Sequence, residues 1–407
     1  AGGAVIADAV HIQKVGGGSA SEFLKSGFEF LVNTGTTDNQ NAPQVAVAAN
    51  GSFVAVWASS AGSREVYMRR FATDGSPIGG ETQVNTYSSN DQNAPAIAMA
   101  PDGRFVISWT STGQDTSFDG VFAKLFDSAG NAVTGDILVN THVADNQRFS
   151  SVSMNSSGQF VISWQSDHQD DANGVGIHAQ RFDANGTPVG SEILVNSTTE
   201  GDQRFPSVAL TEEGSFAVVW QSNYNAQGYE IFAQRFDANG VKEGSETQVN
   251  QYTFNDQTNA TVAYSPAGRF LIAWQSTTAD GSGDGVFGRL LNVSGQFDSN
   301  EFRINSETFN DQRFPSVAST ANGDFVVAWH SDNQDVAGGR GVYAQLLNSA
   351  GEHVGMEIPV NSTVLGDQMN PSVGIGPSGR AVIVWESDQP EDGDAFGVFA
   401  QIFQVID

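Results

Sequence analysis

The sequence predicts an all-β protein: a seven-bladed β-propeller of four-stranded antiparallel blades, closed by an N-terminal strand that completes the last blade. Three observations lead to this prediction. One tryptophan-containing unit recurs seven times, each unit contains strand patterns separated by tight turns, and the strand missing from the last unit stands near the start of the chain. The composition agrees, because 16% charged residues, 45 Gly and 27 Phe favour strands and turns over exposed helices.

The repeat unit is defined by residues at fixed spacing. Its Trp occurs at seven positions, 52 to 56 residues apart: Trp57, Trp109, Trp164, Trp220, Trp274, Trp329 and Trp385. A Gln precedes each Trp by 17 residues: Gln40, Gln92, Gln147, Gln203, Gln257, Gln312 and Gln368. An Asn stands seven residues before each Gln, and a Gly six residues before each Trp. Such a period, without slippage inside the unit, indicates a repeat architecture.

Each unit contains four short strand patterns in the same order. In the fourth unit we predict strands at 206–210, 216–220, 231–236 and 246–250, separated by Gly- and Asn-containing turns. Pro opens the first predicted strand in five of the seven units, where a missing N–H costs least. Four antiparallel strands in a unit of this length are typical of a propeller blade.

The two ends of the chain predict how the ring closes. The last unit stops after its third predicted strand, 398–403, and the missing fourth strand pattern stands at 28–33. An N-terminal strand that completes the last blade removes open edges that would invite aggregation. We therefore assign residues 28–407 to the propeller domain.

Residues 1–27 form an N-terminal extension with one spare strand pattern. Its run at 4–15 contains Val5, Ile6, Val10 and Ile12 and precedes a flexible Gly-Gly-Gly-Ser stretch. Two interpretations stay open: the strand docks on its own propeller, or it adds to a neighbouring subunit or another surface protein. The second would make the protein a homo-oligomer, in a ring or a filament.

Charge and cysteine content exclude several functions. A net charge of −28 argues against binding nucleic acid or an anionic membrane surface, because both require a basic patch. The absence of Cys excludes disulfide frameworks, thiolate metal clusters and cysteine nucleophiles. No apolar run reaches the roughly 18 residues that span a bilayer, so we expect no membrane insertion.

Recurring phrases give the chain a resemblance to a known group. They are Gly-Asp-Gln-Arg-Phe-Pro-Ser-Val at 201–208, Phe-Val-Val-Ala-Trp at 325–329, Val-Phe-Ala-Gln at 398–401 and Gln-Arg-Phe-Asp-Ala-Asn-Gly at 180–186. The chain resembles the propeller-type repeats of large secreted bacterial proteins of the hemolysin-type, RTX-associated calcium-binding class. The resemblance implies an extracellular location and calcium association. Tandem Gly-Gly-x-Gly-x-Asp nonapeptides, the sialidase box and the Trp-Asp ending of WD40 blades are absent.

Acidic loops predict the metal ligands. The links between blades and the links that follow each Trp should lie on one face, which is therefore strongly anionic. Carboxylates on glycine-bent loops suit Ca²⁺. The predicted ligands are Asp167, Asp170, Asp280, Asp284, Asp332, Asp335, Asp388, Asp392 and Asp394. Merely solvated acidic loops are the alternative.

The repeated Trp, Gln and Asn are interpreted as structural. A residue present at one spacing in every blade most simply fills the blade-to-blade core or satisfies backbone groups where the chain crosses between blades. Seven equivalent ligand sites are the alternative interpretation. Aromatic residues of individual blades on the acidic face are the candidate ligand-binding residues: Phe118, Tyr224, Tyr229 and Phe396.

Catalysis has the least support. The six His residues share no spacing with a partner, and no metalloprotease, nucleophile-elbow or P-loop motif occurs. Paired carboxylates on the acidic loops leave a polysaccharide-active enzyme open. The sequence favours a non-enzymatic extracellular structural or adhesive module that assembles through its N-terminal strand. A calcium-dependent lectin that binds glycans is the alternative.

Overall fold

The chain folds into a ring of seven blades. The structure is a computed structural model that describes residues 21–36, 38–60, 62–170, 174–224, 228–335, 338–389 and 395–406. These described residues form 28 strands in seven four-stranded antiparallel sheets, which confirms the predicted seven-bladed propeller. In this part of the chain we find no helix that is long and apolar enough to cross a membrane.

The first and second strands of each blade form the inner half of its sheet. The first strands contact one another around the ring and line its centre. From blade 1 to blade 7 they are β2 (Gln40–Val47), β6 (Gln92–Met99), β10 (Gln147–Met154), β14 (Gln203–Leu210), β18 (Gln257–Ser265), β22 (Gln312–Ser319) and β26 (Gln368–Ile375). The second strands are β3 (Phe53–Ser59), β7 (Phe105–Thr112), β11 (Phe160–Asp167), β15 (Phe216–Ser222), β19 (Arg269–Thr277), β23 (Phe325–Asp332) and β27 (Arg380–Ser387).

The third and fourth strands form the outer half. The third strands are β4 (Glu65–Phe71), β8 (Asp119–Phe126), β12 (Val175–Phe182), β16 (Glu230–Phe236), β20 (Asp284–Asn292), β24 (Arg340–Leu347) and β28 (Gly397–Ile406). The fourth strands are β5 (Pro77–Gln83), β9 (Ile137–Leu138), β13 (Pro188–Leu194), β17 (Lys242–Gln248), β21 (Phe302–Arg303), β25 (His353–Pro359) and, in blade 7, β1 (Glu22–Leu31).

The propeller has two unlike faces. The links from second to third strand and from each blade to the next lie on one face, which we call the loop face. The short turns between first and second strands and between third and fourth strands lie on the opposite face, the turn face. Each inner strand therefore begins at the loop face with the repeat Gln and runs toward the turn face.

Blade 7 closes the ring by pairing the two ends of the chain. Strand β1 pairs antiparallel with β28, with Glu22 opposite Ile406 and Leu31 opposite Phe399. The strand begins at Glu22, six residues earlier than the predicted start of the domain. The extra length is held by stacking, because the rings of Phe23 and Phe403 lie 4.5 Å apart between centroids.

Two strand boundaries differ from the prediction because of β-bulges. The first strand of blade 4 begins at Gln203 rather than at Pro206, and its register shifts between Arg204 and Ser207. Pro thus sits in the bulge, where no ladder bond is lost. The fourth strand of blade 4 begins at Lys242 instead of residue 246, and Gly244 adopts a left-handed φ of 72° at its bulge.

The core lies between blades. Trp220 is fully buried and packs against Ile177 and Val195 of the preceding blade. Each of the other six repeat Trp residues is likewise buried in a cluster of its own. Near the turn face, stacked pairs such as Phe216 and Phe236, 4.6 Å apart, join the second and third strands. Identical interfaces repeat around the ring.

The repeat Gln forms hydrogen bonds with the Trp and with the link that precedes it. Trp220 Nε1 donates to Gln203 Oε1 at 3.0 Å, and blades 1, 2, 5 and 7 have the same bond. In blades 3 and 6 the Gln oxygen instead accepts from the repeat Asn, so Trp164 and Trp329 have no partner for Nε1. In all seven blades Gln Nε2 donates to a carbonyl two or three residues upstream.

The repeat Asn ties the outer strand to the third strand. Asn250 Oδ1 accepts the N–H of Ile231 at 2.8 Å, and its Nδ2 donates to the carbonyl of Tyr252 at 3.0 Å. Both bonds recur in all seven blades, at Asn33, Asn85, Asn140, Asn196, Asn305 and Asn361. The Asn thereby satisfies backbone groups at the point where the chain leaves the blade.

A carboxylate on each outer strand binds the preceding blade. Glu192 accepts from the N–H and the hydroxyl of Thr141, both at 2.7 Å. The equivalent carboxylates accept the N–H that follows the preceding blade's repeat Asn: Glu29, Glu81, Asp136, Glu246, Glu301 and Glu357. This sevenfold set of blade-to-blade bonds is encoded by the acid four residues before each Asn.

Candidate functional site

The described carboxylates predicted as calcium ligands accept hydrogen bonds from protein groups. Asp284 accepts from Arg313 at 2.5 Å, and Asp335 accepts from Asn361 at 3.0 Å. The others are bound similarly: Asp167 by Arg148, Asp170 by His178, Asp280 by the Ser282 N–H, Asp332 by Arg340 and Asp388 by the Asp367 N–H. Among the described residues, no three His, Cys, Asp or Glu side chains are grouped to hold a metal ion. Asp392 and Asp394 lie outside the described residues, and calcium association stays a prediction.

The acidic links have a structural use that the sequence analysis missed. In four blades the Asp six residues after Trp lies beside a Gly at the start of the third strand: Asp115 beside Gly120, Asp170 beside Gly176, Asp280 beside Gly285 and Asp335 beside Gly341. A Cβ at Gly285 would lie only 2.6 Å from Asp280 Oδ2, so glycine is required there.

Blades 1 and 4 supply the same carboxylate by another route. They have Glu65 and Glu230 at the position of that Gly. The two Glu side chains accept from the repeat Asn of their own blade, as Asp335 does in blade 6. Blades with an Asp on the link therefore have Gly at the start of the third strand. Blades 1 and 4, whose links lack this Asp, have Glu at the position of the Gly instead.

The joint between blades 2 and 3 contains a buried histidine between two carboxylates. His178 lies between Asp170 and Glu192, with nitrogen-to-oxygen distances of 2.9 and 3.1 Å. Burial opposes its charge, but the hydrogen bonds to the two carboxylates outweigh burial and raise the pKa of His178 above 6.5. Burial also opposes the charge of Glu192, but hydrogen bonds from His178, Thr141 and Gln169 outweigh burial and lower the pKa of Glu192 to about 2. The other blades have Tyr or Phe at the His178 position.

The four aromatic residues predicted to bind ligand are not brought together. Phe118 is exposed on the loop face of blade 2, and Tyr224 lies on blade 4 with its ring edge against Phe232. Tyr229 and Phe396 instead join blades, because each accepts the N–H of the next blade's repeat Gln. Within the described part of the chain, no ring contact links any two of the four.

The predicted assembly strand lies outside the described residues. Val5, Ile6, Val10 and Ile12 belong to residues 1–20, and assembly through them stays a prediction. Light scattering on the full chain and on a chain lacking residues 1–20 tests it. We expect oligomers that disappear with the deletion, and oligomers of unchanged mass would contradict the prediction.

The inner strands present an unusual backbone at the loop face. The second residue after each repeat Gln adopts a left-handed φ of 48° to 55°. From blade 1 to blade 7 these residues are Ala42, Ala94, Phe149, Phe205, Asn259, Phe314 and Asn370. Left-handed backbone is unfavourable for L-residues other than Gly, Asn and Asp, and for a bulky residue it is a true outlier. Three of the seven positions nevertheless have Phe.

The three Phe side chains stand exposed around the entrance to the central channel. Phe149 and Phe205 lie on adjacent blades with ring centroids 5.0 Å apart, and each is more than a third exposed. Phe314, 44% exposed, lies across the ring beside His330, at 5.3 Å between ring centroids. Exposed aromatic rings on strained backbone are a feature that folding alone does not require.

In six of the seven blades, the residue after the preceding blade's Trp accepts the N–H of this left-handed residue; the residue after Trp57 is Ala58, which has no side-chain acceptor for Ala94. Phe205 N–H donates to Gln165 Oε1 at 3.2 Å, and Asn259 N–H donates to Gln221 Oε1 at 3.0 Å. Equivalent acceptors serve four more blades: Thr110 for Phe149, Gln275 for Phe314, His330 for Asn370 and Glu386 for Ala42. The bonds tie neighbouring blades together and make the entrance rigid.

A cavity of about 410 Å³ opens at this entrance on the side of blades 5, 6, 7 and 1. Flat apolar surfaces come from Phe314 and from three proline rings: Pro43, Pro315 and Pro371. Polar groups come from Gln44, Asn259, Asn370 and Glu386. Phe149 and Phe205, on blades 3 and 4, do not line it. We call this cavity, together with Phe149 and Phe205 at the same end of the inner strands, the channel mouth.

The polar groups of the channel mouth are held by hydrogen bonds that leave acceptors available. Glu386 accepts from the Ala42 N–H at 2.6 Å and from Asn370 Nδ2 at 3.1 Å. No described residue donates to the amide oxygen of Asn370 or Asn259. Burial raises the pKa of Glu386, while burial, with Arg340 and Arg313 nearby, lowers the pKa of His330 to about 3. His330 is therefore neutral at pH 7.

The channel mouth was missed at the sequence level for a physical reason. Its residues follow the repeat Gln by two positions and differ between blades, so they lie outside the repeated pattern. A signal was present, since Phe occurs there in three blades and Asn in two, directly before a position that is Pro in five of the seven blades. The left-handed backbone that exposes these side chains lies in a β-bulge of every first strand, and in six blades its N–H also donates to an acceptor of another blade.

Comparisons with known proteins find the fold but no family. No protein-family model and no curated protein matches the sequence. A Dyadobacter fermentans protein of unknown function superposes with TM-score 0.58 and 10% identity, over 95% of this chain and 100% of that one. An ulvan lyase, described as a polysaccharide lyase of a new family, gives 0.55 and 10%, over 90% and 94%. A Fusarium graminearum α-L-arabinofuranosidase complexed with arabinobiose gives 0.50 and 12%, over 94% and 98%. Identities this low show a shared architecture alone.

Proposed function

We propose that the protein binds neutral carbohydrate at the channel mouth and serves as an extracellular adhesive module without catalytic activity. The observation that carries the proposal is the ring of left-handed residues. Three Phe side chains are exposed there, on backbone that lies in a β-bulge and is also bound by the neighbouring blade. The backbone itself recurs in every blade, but a bulky Phe is strained there while Asn is tolerated, and residues under such strain cluster at binding sites.

The chemistry of the channel mouth suits a sugar. A sugar ring has an apolar C–H face and an edge of hydroxyl groups, and binding sites combine flat apolar surfaces with a few fixed polar groups. Phe314 and the proline rings offer the flat surfaces. The open amide oxygens of Asn259 and Asn370 offer acceptors for hydroxyl donors. The net charge of −28 disfavours an anionic ligand.

Binding without catalysis is favoured by the carboxylate content of the cavity. Glycoside hydrolysis commonly uses two carboxyl groups about 5 to 10 Å apart across the scissile bond. Among the described residues that line the cavity, Glu386 is the one carboxylate. The lyase and the arabinofuranosidase share the architecture at 10 and 12% identity, so their activities do not transfer through the fold.

The proposal is tested by a glycan array probed with the labelled full-length chain, followed by calorimetry on the glycans that bind. We expect Phe314→Ala and Asn370→Ala to weaken binding by about tenfold or more, because each removes a central contact. Phe118→Ala is the matched control, since Phe118 is exposed on the same face but outside the channel mouth. Binding that survives both mouth substitutions, or a wild-type chain that binds no glycan, would overturn the proposal.

Two further arms address calcium. The array is repeated with added Ca²⁺ and with a chelator. Binding that is lost with the chelator would support the calcium-dependent lectin that the sequence left open. Equal binding in both arms would assign recognition to the protein groups alone.

A further inference from the structure

A second set of exposed apolar side chains lies on the loop face. The third residue before the repeat Gln, in the link that enters each blade, is Phe254 in blade 5, Phe309 in blade 6 and Leu365 in blade 7. Their exposed fractions are 69%, 69% and 61%. Three consecutive blades thus present a large apolar side chain to solvent at the same structural position. We call these three residues the apolar arc.

The other blades have small or polar residues at this position. Blades 2, 3 and 4 have Ser89, Ala144 and Glu200 there. The arc therefore covers one side of the ring, and it is not part of the pattern that builds every blade. Large apolar side chains exposed at equivalent points of adjacent repeats require an explanation beyond the fold.

The links present these side chains on fixed backbone. The carbonyl oxygens of Phe309 and Leu365 accept from the Nε2 of Gln312 and Gln368, both at 3.0 Å, and Phe254 accepts similarly at 3.4 Å. The next residue in each link is left-handed, with φ of 62°, 64° and 77° in blades 5, 6 and 7. A preorganised apolar contact loses little conformational entropy on binding.

The apolar arc is continuous with the channel mouth. Each of the three links runs directly into an inner strand whose left-handed residue lines the cavity: Asn259 in blade 5, Phe314 in blade 6 and Asn370 in blade 7. In each of the three blades, the arc residue thus precedes the cavity residue by five positions in the chain. A ligand seated in the cavity that extends outward over these blades meets the arc.

Charge and arrangement identify the occupant. Asp256, Asp311 and Asp367 lie two residues beyond the arc residues on the same links. Asp311 and Asp367 pair with Arg313 and Arg340, but these two arginines also pair with Asp284 and Asp332, so carboxylates outnumber cations. A second copy of this acidic chain or an anionic polymer would therefore be repelled. Neither Phe254 nor Phe309 makes a ring contact with another described aromatic residue, so the arc consists of separate platforms. A dry protein interface has a contiguous apolar core instead. Separate apolar side chains at the same position of adjacent blades suit a chain of repeating units.

We propose that the ligand of the channel mouth is a long neutral polysaccharide, whose chain continues from the cavity across blades 5, 6 and 7 and stacks sugar rings on the apolar arc. This inference rests on the proposed function and specifies its ligand as a polymer. A terminal sugar or a short oligosaccharide would occupy only the cavity. A polymer gains additional contacts on the same molecule, which raises affinity without a second site.

The test compares a triple variant, Phe254→Ala with Phe309→Ala and Leu365→Ala, with the wild-type full chain. Phe118→Ala and Phe314→Ala are the controls outside the arc and in the cavity. Affinity electrophoresis in gels containing arabinan, galactan, mannan or xyloglucan measures polymer binding, with alginate as the anionic comparison. Calorimetry with short oligosaccharides of the same polymers measures the cavity alone. Circular dichroism verifies that each variant is folded.

We expect the triple variant to retain oligosaccharide affinity and to lose polymer affinity by about tenfold or more. Phe314→Ala should weaken both, and Phe118→Ala neither. Unchanged polymer binding by the triple variant would overturn the inference and leave the proposed function standing. Stronger retardation by alginate than by the neutral polymers would overturn the assignment to a neutral chain. A wild-type chain that binds neither polymer nor oligosaccharide would overturn the proposed function and this inference with it.

Discussion

The blade joints and the channel mouth differ in how far their side chains repeat from blade to blade. At the joints, the repeat Trp, Gln and Asn and the outer-strand acid recur in every blade with nearly the same hydrogen bonds. At the channel mouth, two residues after the Gln, the side chain varies among Ala, Phe and Asn although the backbone stays left-handed throughout. In a repeat protein, identity marks what the fold requires, and variation on a fixed backbone marks what is free to serve a ligand.

The largest difference between the two regions should be in stability. Trp220→Ala removes a fully buried ring and its bond to Gln203, and we expect a loss of about 3 to 5 kcal/mol in the free energy of unfolding. Phe254→Ala, at an exposed position, should change it by less than about 0.5 kcal/mol. Denaturant unfolding followed by tryptophan fluorescence or circular dichroism measures both. Similar losses for the two variants would contradict the contrast.

The carboxylate beside the repeat Asn comes from the link in blade 5, as Asp280, and from the third strand in blade 4, as Glu230. Two substitutions exchange these arrangements in blade 5. Gly285→Glu should destabilise by about 2 to 4 kcal/mol, because the new side chain meets the Asp280 carboxylate. Adding Asp280→Gly should recover most of this loss, since the double variant reproduces the arrangement of Glu230 in blade 4. Asp280→Gly alone should destabilise, because Asn305 loses an acceptor. Additive effects in this double-mutant cycle would show that the two routes are not equivalent.

The joint between blades 2 and 3 should respond to pH near neutrality, because it contains His178. The pKa of His178 is raised, so its contribution is complete below pH 6.5 and is lost as the pH rises through its folded pKa. The pKa of Glu192 is lowered from 4.5 to about 2, so its contribution is complete above pH 4.5 and is lost as the pH falls toward 2. Stability from this pair is therefore greatest between these limits.

His178→Phe, which introduces the residue of most other blades, isolates this effect. We expect the variant to melt at lower temperature than the wild type at about pH 5 to 6, by an amount equivalent to about 1 to 3 kcal/mol. The difference should shrink as the pH rises toward about 9. His353→Phe, at an exposed position, is the control. A constant difference across this range would contradict a titrating His178.

The smallest expected effect distinguishes strain from packing at the channel mouth. Phe314→Asn places a residue that tolerates left-handed backbone, as in blades 5 and 7, and should raise stability by up to about 1 kcal/mol while it weakens glycan binding. Phe309→Asn, on backbone that is not left-handed, should give no such gain. A clear loss of stability for Phe314→Asn would mean that the ring contributes to the fold instead.

The sequence predicted the architecture well because the interfaces between blades repeat. One Trp, one Gln and one Asn per unit gave the blade number, the strand order and the closing strand. Strand boundaries near bulges were predicted less accurately. The first strand of blade 4 begins at Gln203 rather than at Pro206, because Pro206 lies in a bulge and the strand continues on its N-terminal side. The sequence predicted metal ligands on the acidic links, which stays a prediction, and did not show that these acids lie beside Gly285 and its equivalents, because each contact joins a link to a strand.

The candidate site could not be predicted from the same pattern. Phe205 occupies a left-handed position in a β-bulge and donates its N–H to Gln165 of the preceding blade, and no local rule connects residues 40 positions apart. Phe118, Tyr224, Tyr229 and Phe396 were predicted as ligand-binding residues of individual blades, and the sequence does not show which of them face a common cavity. Only the folded ring shows which variable positions face a common cavity.

The pairing of β1 with β28 has a consequence for how the chain is made. Synthesis produces the first strand of this pair hundreds of residues before its partner, so blade 7 cannot be completed until the last strand has left the ribosome. Until then, the flanks of blades 1 and 7 that form the final joint stay exposed to solvent and to chaperones. Because Glu22 lies directly opposite Ile406, a short peptide joining them would turn this distant pairing into a local hairpin. A circular permutant with that linker, opened at another blade link, should therefore fold faster while keeping the same ring.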